Sequence, residues 1–220
     1  MSRIFLILAL FAITLLGTNL LIGLSIGDYN ASVTAWREQA AQVRSLERRR
    51  PPAPDDELQA ARDALKKRVE EKQPMTTRVR MHWMVGVTAA LITILVNSIT
   101  VTYFVGTSRW CKEVCDAYSL DQALSNRCTI LKRKTFPWAV TGMLTIVGLV
   151  ALGAASEPAN SMVADPSAWV LWHFIGALVA LGIIGYSFWI QATNIQTNYA
   201  LVQGVMEQVR QIRSERGLTD

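Results

Sequence analysis

"MHWMVGVTAALITILVNSITVTYFVGTS", Met81 to Ser108, runs for 28 residues without an Asp, Glu, Lys or Arg. A helix rises about 1.5 Å per residue and the hydrocarbon core of a bilayer is about 30 Å thick, so about 20 apolar residues cross it. The stretch therefore has the length and the chemistry of a membrane-spanning helix. Three others share that character. Between Arg3 and Asp28 lie 24 residues without these charges, and Thr135–Ser156 supplies 22. Pro166–Met206 supplies 41, of which roughly the first 25 are apolar enough to insert. The whole-chain figures, 51% hydrophobic residues and a mean hydropathy of +0.24, conceal this segregation. The fold class that follows is all-α: a polytopic membrane protein with four transmembrane helices, an extracytoplasmic helical hairpin and a long fourth helix extending into the cytoplasm.

The boundaries read as transmembrane helix 1 over 1–27, the extracytoplasmic hairpin over 28–80 and transmembrane helix 2 over 81–106. A cytoplasmic helical loop over 107–136 and transmembrane helix 3 over 137–156 come next. A short outer loop over 157–167, transmembrane helix 4 over 168–192 and a cytoplasmic helical extension over 193–220 complete the chain. The first span reads as a retained anchor, because a secretory apolar region is usually about 7–15 residues long and this one is longer.

Charge sets the orientation. Residues 109–134 carry six Lys or Arg against three acids, whereas the loop around Glu157 and Asp165 carries none. Basic loops stay inside, so both termini are expected in the cytoplasm, in the plasma (inner) membrane. Arg3, Arg210, Arg213 and Arg216 agree, but residues 28–80 hold 12 Lys or Arg with nine acids and pull the other way. The three cysteines, Cys111, Cys115 and Cys128, fall in the inner loop, and an odd number of thiols suits a reducing compartment. With the net charge of +5 serving topology, the partners expected are the lipid bilayer and other membrane protein subunits, with no nucleic acid.

Outside the spans, Val33, Trp36, Ala40 and Val43 recur at helical spacing, "PPAP" at 51–54 breaks the chain, and "DDEL" opens a second helix lined by Leu58, Ala61, Leu65 and Val69. Ser119 and Gln122 have capping-box spacing ahead of another helix, and Pro137 is expected in the first turn of transmembrane helix 3. Ile195, Tyr199, Val202, Met206 and Val209 have the spacing of a short coiled-coil seam on a helix from about 168 to about 215, ended by Gly217. Two heptads need a partner, and the helix over 109–134 or another subunit would supply it.

Catalytic signatures are missing: no phosphate-binding glycine loop, no H-E-x-x-H, no nucleophile elbow and no C-x-x-C, so nothing marks an enzyme. The spans hold no Asp, Glu, Lys or Arg in their cores, which argues against an ion-coupled carrier. A facilitator built on Asn97, Ser98, Thr100 and Thr102 stays open. The cysteines read as structural thiols; acylation is a lesser alternative, and a zinc site lacks its fourth ligand. "LKRK", 131–134, is a basic cluster that would attract anionic headgroups or simply set topology.

The only histidines, His82 and His173, both begin spans entered from the outer side. Two imidazoles on neighbouring helices at similar depth are the donor set of a b-type haem. On that reading His82 and His173 bind the haem iron, Gly86 and Gly176 let the macrocycle approach the backbone, and Arg78 and Arg80 face its propionates. On the other reading both histidines are interfacial anchors beside Trp83, Trp169 and Trp172. Three functions are therefore expected in descending order. The first is a non-catalytic integral membrane subunit or scaffold of a larger membrane assembly. The second is a haem b electron-transfer subunit, taking electrons from quinol near the outer face. The third is a sensor whose outer hairpin moves the fourth span.

Overall fold

The computed structural model describes residues 2–218. The described residues are 88% helical. Among the described residues the helices are α1 (Ser2–Leu24), α2 (Tyr29–Arg48), α3 (Asp55–Tyr118), α4 (Gln122–Ala155) and α5 (Ser167–Glu215). Four of these, α1, α3, α4 and α5, are long and apolar enough to cross a membrane. Large apolar side chains such as Trp83, Leu91, Leu144 and Trp189 stand outward on them, as lipid permits and water would not.

The helix ends follow local chemistry. Asp28 caps α2, its carboxylate accepting from Ala31 N at 3.0 Å. Asp55, Asp56 and Glu57 occupy the first turn of α3, where the helix dipole favours negative charge. Gly217 takes φ +67 after α5, and Leu218 N reaches back to Arg213 O at 2.9 Å, the glycine closure expected there.

Two expected breaks are absent. α3 runs unbroken for 64 residues, through Pro74 and past residue 81, and α4 passes through Pro137 without stopping. Pro137 is thus interior to a helix rather than in its first turn. The reason is a continuous buried face: Ser125, Cys128, Thr135, Ala139, Gly142 and Ile146 keep helical spacing across Pro137, whose ring stays exposed. A proline removes one backbone donor, but packing over many turns outweighs that loss.

The capping box is absent too. Ser119 takes φ +54, and Leu120 N donates to Cys115 O at 2.9 Å, so Ser119 ends α3 rather than starting α4. Asp121 caps instead, accepting from Ala123 N at 2.8 Å. Leu120 explains the switch, because it packs into a cluster with Cys115, Val205 and Val209, and only a left-handed residue before it turns it there. Ser119→Gly should therefore raise stability, by about 1 kcal/mol, read as a higher unfolding midpoint in detergent.

The chain divides into two compact units. One gathers the residues up to Thr14, Ala89–Leu149 and the chain from Leu178 onward; the other gathers Leu15–Thr88 and Val150–Ala177. The first unit has a core of small apolar groups, among them Ala9, Ala12, Ala89, Ala139 and Ala180, with Phe5 set edge-on to Phe188 at 6.1 Å. Threaded through it are buried amides and hydroxyls. Gln191 Nε2 donates to Asn97 Oδ1 and to Ser187 Oγ, both at 2.8 Å, and Ser187 Oγ donates to Trp138 O at 2.7 Å. Asn198 Nδ2 donates to Tyr103 OH at 3.1 Å and Thr107 Oγ1 at 3.0 Å. Such bonds join helices where no water competes.

The expected seam on α5 is different in kind. Ile195, Asn198, Val205 and Val209 are buried, while Tyr199 is 49% exposed. Val205 and Val209 pack on Cys115 and Leu120 of the same chain, so the extension is covered by the end of α3 and the following turn. The polar Asn198 takes the inward position because Tyr103 and Thr107 offer it partners, which hydrophobic spacing alone does not reveal.

In the second unit α2 is held to the start of α3. Arg62 pairs with Glu47 at 2.8 Å, Arg49 with Glu57 at 3.4 Å, and Lys72 Nζ sits 3.9 Å from the centre of the Trp36 ring. Arg37 donates to Pro158 O at 3.0 Å, and Asn30 Nδ2 to Ser156 O at 3.3 Å, tying α2 to the segment between α4 and α5.

Candidate functional site

The second unit brings both histidines together. α5 starts where Asp165 accepts from Ser167 N at 3.0 Å, which sets His173 in its second turn. His82 lies on α3, and the two imidazole centroids are 6.0 Å apart with ring planes at 87°. Both residues are partly buried.

Each ring is seated against a glycine of another helix. A Cβ built on Gly23 of α1 would lie 3.1 Å from His82 Cε1 and 3.3 Å from Nδ1. A Cβ on Gly153 of α4 would lie 3.1 Å from His173 Cε1 and 3.5 Å from Nδ1. The Cε1–Nδ1 edge of each imidazole therefore occupies a notch that any other residue would fill. One turn before Gly23, Asn19 O lies 3.0 Å from His82 Nδ1. A carbonyl only accepts, so Nδ1 carries the proton and Nε2 keeps its lone pair. A backbone bond of this kind orients a metal-ligating imidazole and raises its basicity.

The other expected residues have plain positions. Gly86 faces the Asn19 side chain, with a built Cβ 2.9 Å from Nδ2, so α1 occupies its open side. Gly176 is partly buried one turn after His173. Arg78 donates to Ser25 O at 2.6 Å, just past the end of α1, and Arg80 is exposed. Neither arginine enters an ion pair among the described residues. Gly23 and Asn19 carried no readable sequence signal, whereas Gly153, with Gly142 and Gly148, reads as a small residue that allows close helix approach without showing what approaches. Gly23, Gly153 and Asn19 each belong to a different helix from the ring they hold, and spacing along one helix does not report that.

Haem iron with two imidazoles is a fair test of this arrangement. Two in-line metal–nitrogen bonds of about 2.0 Å, with the two ring radii added, put the centroids about 6 Å apart. The observed 6.0 Å separation matches that length, whereas the open side of Gly86 expected to admit the macrocycle is filled by the Asn19 side chain.

Elsewhere the candidates do not converge. Asn97 and Thr100 are buried in the first unit's core, whereas Ser98 and Thr102 are exposed, with Thr102 Oγ1 returned to Ser98 O at 3.0 Å. These four residues do not line one path. Cys111 and Cys128 meet, their sulfurs 2.8 Å apart, while Cys115 packs on Val205 and Val209. Among the described residues no group of three or more His, Cys, Asp or Glu is placed to hold a metal ion. Comparison with known protein families, with curated proteins and with solved structures returns no match for the chain.

Proposed function

We propose that the chain is an electron-transfer subunit of a larger membrane assembly, holding a b-type haem between His82 and His173. The perpendicular imidazole pair at 6.0 Å carries this reading. Bound haem supplies a one-electron couple whose potential its axial ligands and surroundings tune. The chain's own residues do the positioning. Asn19 O holds the His82 tautomer, Gly23 and Gly153 admit the ring edges, and Arg78 and Arg80 supply positive charge on α3 shortly before His82. In the orientation that goes with this proposal both termini are cytoplasmic, and α2 with the start of α3 forms an extracytoplasmic hairpin.

A second reading, a scaffold subunit with no cofactor, is favoured by the notches themselves. Imidazoles seated on glycines and bonded to a carbonyl are sufficient as packing groups between helices. A reduced-minus-oxidised spectrum of the detergent-purified protein separates the two. The haem reading expects a Soret band with resolved α and β bands, either as purified or after titration with hemin to about one equivalent. No such bands under either condition would leave the scaffold reading, which in turn expects stoichiometric partners on mild extraction.

A further inference from the structure

The first unit contains a second chemically distinctive pair. Cys111 and Cys128 are both fully buried, both free, and 2.8 Å apart at sulfur. They face each other from α3 and α4, 17 residues apart in sequence, across the turn at Ser119. A disulfide has its sulfurs about 2.05 Å apart, so closing the pair requires them to approach by only about 0.8 Å. We propose that Cys111 and Cys128 form a redox-active dithiol, which a peroxide-class oxidant closes to a disulfide joining α3 to α4.

The electrons balance as follows. Cys128, as thiolate, attacks one peroxide oxygen; the O–O bond breaks, leaving a sulfenic acid on Cys128 and a hydroxide that takes the proton Cys128 gave up. The Cys111 sulfur then attacks the Cys128 sulfur; the S–O bond breaks, and the departing hydroxide leaves as water with the Cys111 proton. Two thiols lose two electrons in all, and one peroxide becomes two waters. The order of attack follows from the hydrogen bond between them. Either sulfur can donate to the other; with Cys111 as donor the bond lowers the Cys128 thiol below its ordinary range, while the same bond, with burial, raises Cys111. Burial also raises Cys115, which stays a protonated bystander. Only the thiolate is nucleophilic, so Cys128 leads.

α5 guards the pair. Its Asn198 amide is bonded to Tyr103 and Thr107, the latter one turn before Cys111, and its Val205 and Val209 cover Cys115. Oxidation must wait for local opening of that segment, so it should be slow and should favour small oxidants over bulky disulfides. Asn198→Ala removes two of the bonds that hold the segment down and is expected to speed closure about tenfold.

The test uses the full chain in detergent, treated with hydrogen peroxide, denatured without reductant, alkylated and weighed intact. Three alkylated thiols before treatment should become one after it, with a mass loss of about 2 Da in the unlabelled chain, and dithiothreitol should restore all three. Cys115→Ser should still close, and Cys128→Ser should not. Three alkylated thiols after peroxide in both the natural chain and the Asn198→Ala chain would overturn the proposal. So would equal thiol loss in Cys128→Ser.

Discussion

Replacing His173 with leucine is expected to abolish the low-spin haem spectrum that the proposed ligation implies, and His82→Leu should do the same, because one imidazole alone would not complete a bis-histidine site. The two changes should be equivalent spectroscopically. His82→Leu also removes the bond from Nδ1 to Asn19 O, a loss of about 0.5–1.5 kcal/mol, since that carbonyl lies within α1 and keeps its helical partner. Gly23→Val and Gly153→Val approach the same point from behind. Each added side chain would start 3.1 Å from an imidazole carbon and grow into the ring, turning it away from its partner. Haem content should fall in both variants while the helical signal persists. A Soret band that survives His173→Leu would defeat the proposed ligation outright.

Gly142→Leu should be among the most damaging single changes in the first unit. A Cβ alone would stand 2.9 Å from Asn97 Oδ1 and 3.0 Å from Nδ2. The Asn97 amide has nowhere to go, since it donates to Thr93 O at 2.8 Å and accepts from Gln191 Nε2 at 2.8 Å. Gln191 is fully buried, and its Oε1 already lacks a partner among the described residues, so a displaced Asn97 strips the network further. Overpacking costs about 1–3 kcal/mol, and each interhelical hydrogen bond lost in a membrane adds about 0.6–2 kcal/mol. A Cβ on Gly148, on the same helix and exposed, meets nothing within 4 Å, so Gly148→Leu serves as the control. A lower unfolding midpoint in detergent for Gly142→Leu, with Gly148→Leu close to the natural protein, is the expected result. Equal midpoints would mean that the Asn97–Gly142 contact does not hold α3 to α4.

The two results expose what can be read along a chain and what cannot. The glycine ending α5 and the acids opening α3 were legible, since each acts on its own few neighbours. Tyr199 was misplaced because hydrophobic spacing favours it over Asn198, yet the buried partners of Asn198 lie more than 90 residues away, on α3. Ser119 was misread for a related reason. Its spacing to Gln122 suits a cap, but Leu120 has to reach a cluster completed by α5.

Sequence alone determined the number of apolar rods and the end at which a histidine sits on two of them. Those features come from solvation, and solvation sums over contiguous residues. Tertiary structure alone decided that Gly23 and Gly153 hold the two rings, that Gly142 receives Asn97, and that α3 and α4 run past the expected boundaries. These are matters of close approach between helices distant in sequence. A glycine's missing Cβ acquires meaning only from whatever side chain fills the space.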